Sequence, residues 1–423
     1  MSDSEEVCYR ALSELVSQVD AKITVRKDPA RPYVGLENIP SRGAHLTGWS
    51  LASSSISTNS IFQAGDILFG KLRPNLRKCV VAPFDGYCST DILVLRANTG
   101  VDPSFAGKVL RTDQVGAAAE MTSVGTKMPR TSWKHLSEFE VFCPGLPEQS
   151  KIAKVLDILD TAIQETEAII AKLKALKQGL LHDLLTRGID ANGEPRLPQS
   201  EAPHLYKESP LGWIPKSWEC VRLVEKLGVF GGKRLPAGHA YAERPTAFKY
   251  LRVTDFYERD YFLDELESLY ENTFNALERY EIRSGQLFIS IAGSLGYVGV
   301  HRTEDDGAIR TILTENAARL IPLGTIEPEF VAQYMNSAMV QNQVTAEKGT
   351  GGGVPKLALF RIEQFWLAWP NEDEQVQIAG RLRAMTERIR DEGKFLRKLN
   401  LQKVGLMDDL LTGRVRVTPL LAE

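Results

Sequence analysis

The strongest chemical signal in the chain is a run of cations, Gly70-Lys-Leu-Arg-Pro-Asn-Leu-Arg-Lys78. Lys71, Arg73, Arg77 and Lys78 supply four positive charges there with no acid between them. Guanidinium forks match phosphate oxygens and the O6/N7 edge of guanine, and the Asn75 amide matches adenine, so the run predicts contact with nucleic acid. A second basic group, Lys127, Arg130 and Lys134, follows the Gly125-Thr126 turn in the same part of the chain. Lys348 and Lys356 stand at the corresponding place of a later region, which also carries Lys233, Arg234, Arg252, Arg302 and Arg310. The competing expectation is an ordinary solvated loop, which is where most basic runs are found.

Patterns for covalent or metal chemistry are missing. No GxxxxGK[ST] phosphate loop occurs, and Gly349-Thr-Gly-Gly-Gly353 with Lys356 has the wrong order and spacing for one. That stretch reads as a tight turn, or as a loop whose backbone approaches a phosphate. There is no Pro-Pro, hence no Asn/Asp-Pro-Pro-aromatic motif of amino-methyltransferases. Glu392-Gly-Lys394 has the Glu-x-Lys spacing of some nucleases, but it falls inside a helical pattern rather than at a strand end. The histidines His45, His135, His182, His204, His239 and His301 show neither HxxxH nor HxxH spacing, which argues against zinc. No GxSxG elbow is present. The expectation is therefore no catalytic residue, no metal, and a role in recognition or assembly.

The elements that hold these residues are duplicated. Glu148–Thr186 aligns with Glu374–Thr412 at a constant shift of 226 without a gap, and 15 of the 39 pairs are identical. Apolar residues recur at Ile152, Leu156, Leu159, Ile163, Ile170, Leu173, Leu180 and Leu184. The second copy places Ile378, Leu382, Met385, Ile389, Leu396, Leu399, Leu406 and Leu410 at the same positions. Steps of four and three are the spacing of a helix with a narrow apolar seam. Each helix would run about 40 residues, roughly 60 Å at 1.5 Å per residue. Two matched seams in one chain predict a coiled coil; the alternative is that each helix packs on its own domain. Thr166/Glu392 and Lys177/Lys403 put polar groups on the seam, where they would fix register.

The regions before the helices correspond more loosely. Tyr33–Ile39 echoes Tyr250–Phe256, Gly65–Phe69 echoes Gly285–Ile289, and Gly125-Thr126, Pro129, Phe139 and Pro144 echo Gly349-Thr350, Pro355, Phe365 and Pro370. The predicted fold class is α+β, with two mixed α/β domains, two long helices and an internal tandem pseudo-repeat. The expected divisions are a first domain over 1–146, a central helix over 147–188, and a Pro-, Ser- and charge-rich linker over 189–210. A second domain over 211–370, a C-terminal helix over 371–413 and a tail over 414–423 follow.

Composition sets the outer bounds. The chain has 423 residues, 51 Lys+Arg against 54 Asp+Glu, a formal net charge of −3, 43% hydrophobic and 25% charged residues. These are globular values that exclude a fibrous or wholly disordered chain and a uniformly basic coat, but not a local basic face. No stretch approaches the roughly 18 apolar residues of a membrane span, and the acidic Met1–Glu6 resembles neither a signal nor a transit peptide. Five cysteines without a CxxC pair suggest reduced thiols and a cytoplasmic location.

Taken together, the order of parts resembles the specificity subunit of Type I restriction-modification enzymes. In the first domain the resemblance rests on Tyr33–Ile39, Gly65–Lys78, Cys88-Ser-Thr-Asp91, Gly125–Arg130 and Leu146–Gln149. In the second it rests on Ser209–Trp218, Tyr250–Asp255 and Ala292–Gly296. Asp373-Glu-Gln375 lacks the proline found at Pro147, and Gly349–Gly353 is longer than its counterpart. The resemblance implies two target recognition domains held apart by antiparallel helices, each reading half of a split double-stranded DNA target. It also implies docking of two modification (methyltransferase) subunits and of restriction (translocase/nuclease) subunits. S-adenosylmethionine, ATP and Mg²⁺ would bind those partners, and no cofactor would bind this chain. Because the two domains differ in sequence, an asymmetric target is expected. The rival expectation is a non-enzymatic coiled-coil scaffold whose globular heads bind protein.

Overall fold

Short apolar runs bounded by glycine and polar turns form the strands here, and the long three–four periodic segments form the helices. The computed structural model describes residues 9–24, 30–52, 58–256, 265–303, 308–347 and 355–421. It divides into two units, Met1–Ile170 with Asp391–Glu423, and Ala171–Arg390. Each long helix therefore contributes one end to each unit, whereas the sequence suggested divisions at the helix ends. Among the described residues no helix is long and apolar enough to cross a membrane.

The first unit holds an antiparallel four-stranded sheet in the spatial order Val16–Gln18, Ile92–Ala97, Ile67–Gly70, Cys79–Val81. Ile67, Leu68, Phe69 and Gly70 are all buried, as a near-continuous apolar run demands of a strand covered on both faces. A second sheet, ordered Lys22–Thr24, Thr58–Phe62, Gly86–Cys88, Pro32–Val34, Ser50–Leu51, contains one parallel pairing, Tyr33 with Tyr87. Helix Pro103–Leu110 is capped by Asp102, whose carboxylate accepts from the backbone N–H groups of Ser104 and Phe105.

In the second unit the antiparallel sheet runs Leu227–Gly231, Ala317–Pro322, Leu287–Ser290, Val298–Val300. Its neighbour, ordered Glu267–Ser268, Phe248–Leu251, Arg310–Leu313, Glu281–Ile282, again contains one parallel pairing, between Phe248–Leu251 and Arg310–Leu313. Strand pairs of the same kind close both units: Tyr9–Ala11 with Glu140–Phe142, and Glu219–Arg222 with Trp366–Trp369.

The long helices span Leu146–Thr186 and Glu372–Leu411. In the first unit Ile152 and Leu156, near the start of one helix, share a core with Leu410 and Leu411 at the end of the other. In the second unit Leu184 and Leu185 share a core with Ile378 and Leu382. Of the sixteen seam positions, eight are buried (Ile152, Leu156, Leu173, Leu184, Ile378, Leu382, Leu399, Leu410), and Leu159, Ile163, Ile170, Leu180, Met385, Ile389, Leu396 and Leu406 are half-buried. Each fully buried Leu or Ile contributes roughly 1.5–3 kcal/mol. Thr166 is buried and donates to the Ala162 carbonyl, while Lys403 bonds Asp160 at 2.6 Å.

The repeated Glu-Gln pair at each helix start has a structural role that sequence comparison did not reveal. Gln149 donates to the Pro144 carbonyl and accepts from the Asp102 N–H; Gln375 does the same with Pro370 and Glu327. Glu148 accepts a guanidinium fork from Arg416 (2.9 and 2.7 Å) and the Val417 N–H (3.1 Å). Arg416 holds the Glu148 carboxyl below its usual pKa. Glu374 accepts the Arg196 fork and the Ile189 N–H (2.9 Å).

Two expected divisions are thereby corrected. Residues 189–210 are no free tether: Ile189, Ala202 and Tyr206 are buried, and Tyr206–Ser209 pairs with Gly212–Pro215. The described part of the tail, 414–421, is likewise tied down, since Val417 is buried beside Glu148. Composition misled because a packed strap with few, widely spaced buried groups has the same residue content as a linker. Gly188 (φ +62°) starts the strap, and a Cβ there would lie 2.2 Å from Glu374 Oε1.

Candidate nucleic-acid interface

In the first unit the two basic stretches meet at one end of the sheet. The hairpin joining Ile67–Gly70 to Cys79–Val81 carries the run 71–78, and a short hairpin over 124–130 packs beside it. Arg73 N–H donates to the Pro129 carbonyl (2.8 Å), Thr131 N–H to the Lys71 carbonyl (3.0 Å), and Leu72 bridges Arg130. Gly125 (φ +110°) permits the turn that lets Val124 and Arg130 exchange backbone hydrogen bonds at 3.0 Å in each direction. Residues more than 50 apart in sequence thus share one loop surface.

The backbone of this loop is strained. Among the described residues the non-glycine positions with left-handed φ are Arg42 (58°), Arg73 (51°) and Arg77 (51°), and all three lie at or beside it. Such conformations cost on the order of 1–2 kcal/mol per residue and concentrate at binding sites. Arg73 and Arg77 flank the Pro74–Leu76 turn, so the strain fixes the directions in which the basic side chains leave the hairpin.

The structure sorts the candidate residues into three groups. Arg73, Asn75 and Lys127 are exposed and Lys71 half-buried, and none of these side chains has a hydrogen-bond or charge partner among the described residues. Arg130 is exposed but forked onto Asp91 (Nε 2.9 Å, Nη2 3.3 Å), which raises its pKa further above the usual value. Arg77 and Lys78 turn inward. Arg77 pairs with Glu120 at 2.7 Å and donates to the Asp113 carbonyl, while Lys78 Nζ donates to the Leu36 carbonyl at 2.6 Å. Both are structural cations of the loop, a correction to their expected role. Their charge alone could not show this, because the acceptors come from distant segments.

In the second unit the equivalent hairpin, 291–297, joins Leu287–Ser290 to Val298–Val300. Ala292 bridges Lys356 as Leu72 bridges Arg130. Lys356 and Lys233 are exposed without a partner among the described residues, and Arg234 lies 3.9 Å from Glu315. Gly293, Ser294, Leu295, Tyr297, Gln341 and Pro355 line a cavity of about 500 Å³ at the hairpin tip. Its hydroxyl and amide groups were not among the sequence candidates, since isolated Ser, Tyr and Gln residues carry no pattern.

Arg252 and Arg310 are corrected. Arg252 is bound on both edges, by Asp255 (2.8 Å) and Glu267 (2.7 Å). Arg310 pairs with Glu278 and Glu281 and covers the Phe274 ring at 4.4 Å. It also opens its strand at the end remote from Leu313, whose carbonyl takes the Lys233 N–H. Lys348 and the 349–353 loop lie outside the described residues. Among the described residues no group of three His, Cys, Asp or Glu side chains is arranged to hold a metal ion.

The chain is similar to known proteins in sequence and in fold. Residues 33–175 match the family described as Type I restriction modification DNA specificity domain. The MjaVIII Type I restriction enzyme specificity subunit of Methanocaldococcus jannaschii is 24% identical over 302 residues, covering 70% of this chain and 67% of that protein. The EcoDI specificity subunit of Escherichia coli is 29% identical over 150 residues, 32% of this chain and 33% of that protein. In fold, the S subunit of the Type I system of M. genitalium aligns with a TM-score of 0.58 at 15% identity, over 97% of this chain and 98% of that one. A chain from a structure describing complex assembly and conformational transition of the type I R-M system gives 0.56 at 17% identity, over 96% and 98%. Residues 33–175 thus match a DNA specificity domain of Type I restriction-modification systems, and most of the chain is similar in sequence and fold to specificity subunits of such systems.

Proposed function

We propose that the chain reads a split, asymmetric double-stranded DNA target, one half-site per unit, through the loop surfaces at the hairpins 71–78 and 291–297. The observation that carries this is the convergence of Lys71, Arg73 and Lys127 on one surface, with no carboxylate on any of them among the described residues. Unpaired cations on a strained, well-anchored loop are suited to phosphate oxygens. The two long helices, duplicated in sequence, form an antiparallel coiled coil that sets the spacing between half-sites in helical turns of DNA.

In this reading the chain carries no catalytic residue and no cofactor. Two methyltransferase subunits and the restriction subunits dock on it in the cytoplasm and bring S-adenosylmethionine, ATP and Mg²⁺. The target base is flipped into the methyltransferase after this subunit has placed it. The scaffold alternative accounts for paired helices but not for the matched hairpin positions.

The test is a genome-wide map of methylated bases in the host with and without the gene. Loss of one split motif on deletion is the expected outcome. An unchanged map, with a neighbouring methyltransferase shown to be active, would overturn the proposal.

A further inference from the structure

Arg130 is held differently from every other cation of the first loop surface. Its backbone is fixed twice, by reciprocal hydrogen bonds with Val124 and by the bridge to Leu72. Its side chain is fixed by two parallel bonds to one carboxylate, Nε to Asp91 Oδ1 and Nη2 to Asp91 Oδ2. Asp91 is itself anchored: its N–H donates to the Ser89 hydroxyl oxygen (3.2 Å) and its carbonyl accepts from the Lys71 N–H (3.0 Å).

A guanidinium has five N–H donors. The Asp91 pair uses the Nε/Nη2 edge and leaves both hydrogens of Nη1 and the second of Nη2 without a partner among the described residues. That open edge is a planar two-donor fork, complementary to the O6 and N7 acceptors that guanine shows in the major groove. The arginine is 43% exposed, so the fork is reachable, and its rotamer is already chosen before DNA arrives. Lys71, Arg73 and Lys127 around it are free point charges or flexible forks without such a brace.

Geometry alone is insufficient, as Arg96 shows. It is braced by Asp66 in the same side-on manner (2.6 and 2.8 Å). However, Arg96 sits near the far end of strand Ile92–Ala97, which starts next to Asp91, and so lies at the end of the strand away from Lys71. Arg252 is braced by Asp255 but its other edge is closed by Glu267. Among these three, Arg130 is the one whose open fork lies on the loop surface that carries Lys71 and Arg73.

We propose that Arg130 reads a guanine in the half-site of the first unit, with Asp91 as its positioning residue and Lys71, Arg73 and Lys127 as phosphate contacts. This rests on the DNA-reading function proposed above.

The experiment uses the full-length chain in its native host together with its methyltransferase. Methylated bases are mapped for wild type, Arg130→Ala, Arg130→Lys and Asp91→Asn, and salt-dependent duplex binding is measured on the assembled complexes. The wild-type motif should contain a guanine in one half-site. Arg130→Ala and Arg130→Lys should both lose discrimination at that single position by about 5- to 150-fold, with the other half-site intact and the salt slope unchanged. Asp91→Asn, which loosens the brace and keeps the fork, should blur the same position less. An unchanged motif in both Arg130 variants overturns the inference, as does a salt slope lower by about one with the motif kept, which marks a phosphate contact. In either case continued methylation of the split motif leaves the recognition function standing. Arg130→Lys keeps the charge, so a fold defect confined to Arg130→Ala does not decide the outcome.

Discussion

The hairpins 71–78 and 291–297 occupy the same place in two sheets of the same strand order, yet their chemistry is opposite. The first carries four cations, a proline and two left-handed arginines; the second reads Ile-Ala-Gly-Ser-Leu-Gly-Tyr, without a charge. The contrast extends to the braced pair, since Asp91 and Arg130 have Asn316 and Lys356 at the matching positions. By contrast the frame is repeated almost bond for bond, with Gln149 and Gln375, and Glu148 and Glu374, making the same contacts. A hairpin tip lies outside both the ladder of backbone bonds and the core, so it is free to change while the strands beneath are not. On the function proposed above, the first unit would supply most of the charge and the second would discriminate through shape and neutral hydrogen bonds.

The largest effect that separates the units concerns a charge cluster present in only one of them. Asp160 is buried and accepts from Lys108 (3.2 Å), Arg111 (3.0 Å) and Lys403 (2.6 Å). The position 226 residues on is Thr386. Asp160→Ala would leave buried cations uncompensated, and a loss of about 3–5 kcal/mol is expected. Hydrogen exchange resolved by segment should place that loss in 9–170 and 391–421. Equal loss of protection across 171–390 would break the distinction between the units.

Acid should separate them in the opposite sense. Burial lowers the His301 pKa to about 4, while the three cations hold Asp160 at about 2. For His301 the folded value lies below the ordinary value of about 6.5. Above that pH both states are neutral and nothing is lost. As pH falls from 6.5 toward 4 the unfolded chain takes up a proton that the folded chain refuses, so the second unit weakens by on the order of 3 kcal/mol. The Asp160 contribution is present above its unfolded value near 3.9 and fades only as pH falls toward 2. Exchange protection at pH 4.5 should therefore drop first in 171–390, and His301→Gln should flatten that dependence.

On DNA the comparison predicts smaller, additive changes. Lys71→Ala and Arg73→Ala should each lower the salt slope of the assembled complex by about one, with no change in motif. Ser294→Arg, which places a cation on the neutral tip, should raise the slope by a similar amount. If the first two substitutions alter neither affinity nor slope, the loop surface is not a DNA contact.

How much of this was legible in the sequence depends on the range of the interaction. The helices were, because a seam of eight residues repeats at a shift of 226 and periodicity is a local signal. The convergence of 71–78 with 124–130 was not, since no pattern encodes which loops meet. Arg77 and Lys78 looked like their neighbours Lys71 and Arg73 because Glu120 and the Leu36 carbonyl, which take their charge, lie 43 and 42 residues away. Residues 189–210 and 414–421 read as linker and tail because the carboxylates that hold them, Glu374 and Glu148, belong to the distant helix starts.

The smallest expected effect is also the most specific check on that sorting. Arg310 is basic and lies in the second unit, so on charge alone it is as good a DNA ligand as Arg73. In the structure its guanidinium is committed to Glu281 and Glu278 at 2.8 and 2.9 Å and to the face of Phe274. The strand it opens spans four residues, so it stands about 10 Å from the end where Lys233 and the neutral hairpin lie. Removing it takes no free charge from the DNA surface. Arg310→Gln should leave the salt slope and motif of the assembled complex unchanged, while the second unit loses no more than about 1 kcal/mol, the scale of a partly exposed ion pair. A slope lowered by one would mean that the DNA path crosses the opposite end of the sheet, and the neutral hairpin would then no longer be the reading edge of the second unit.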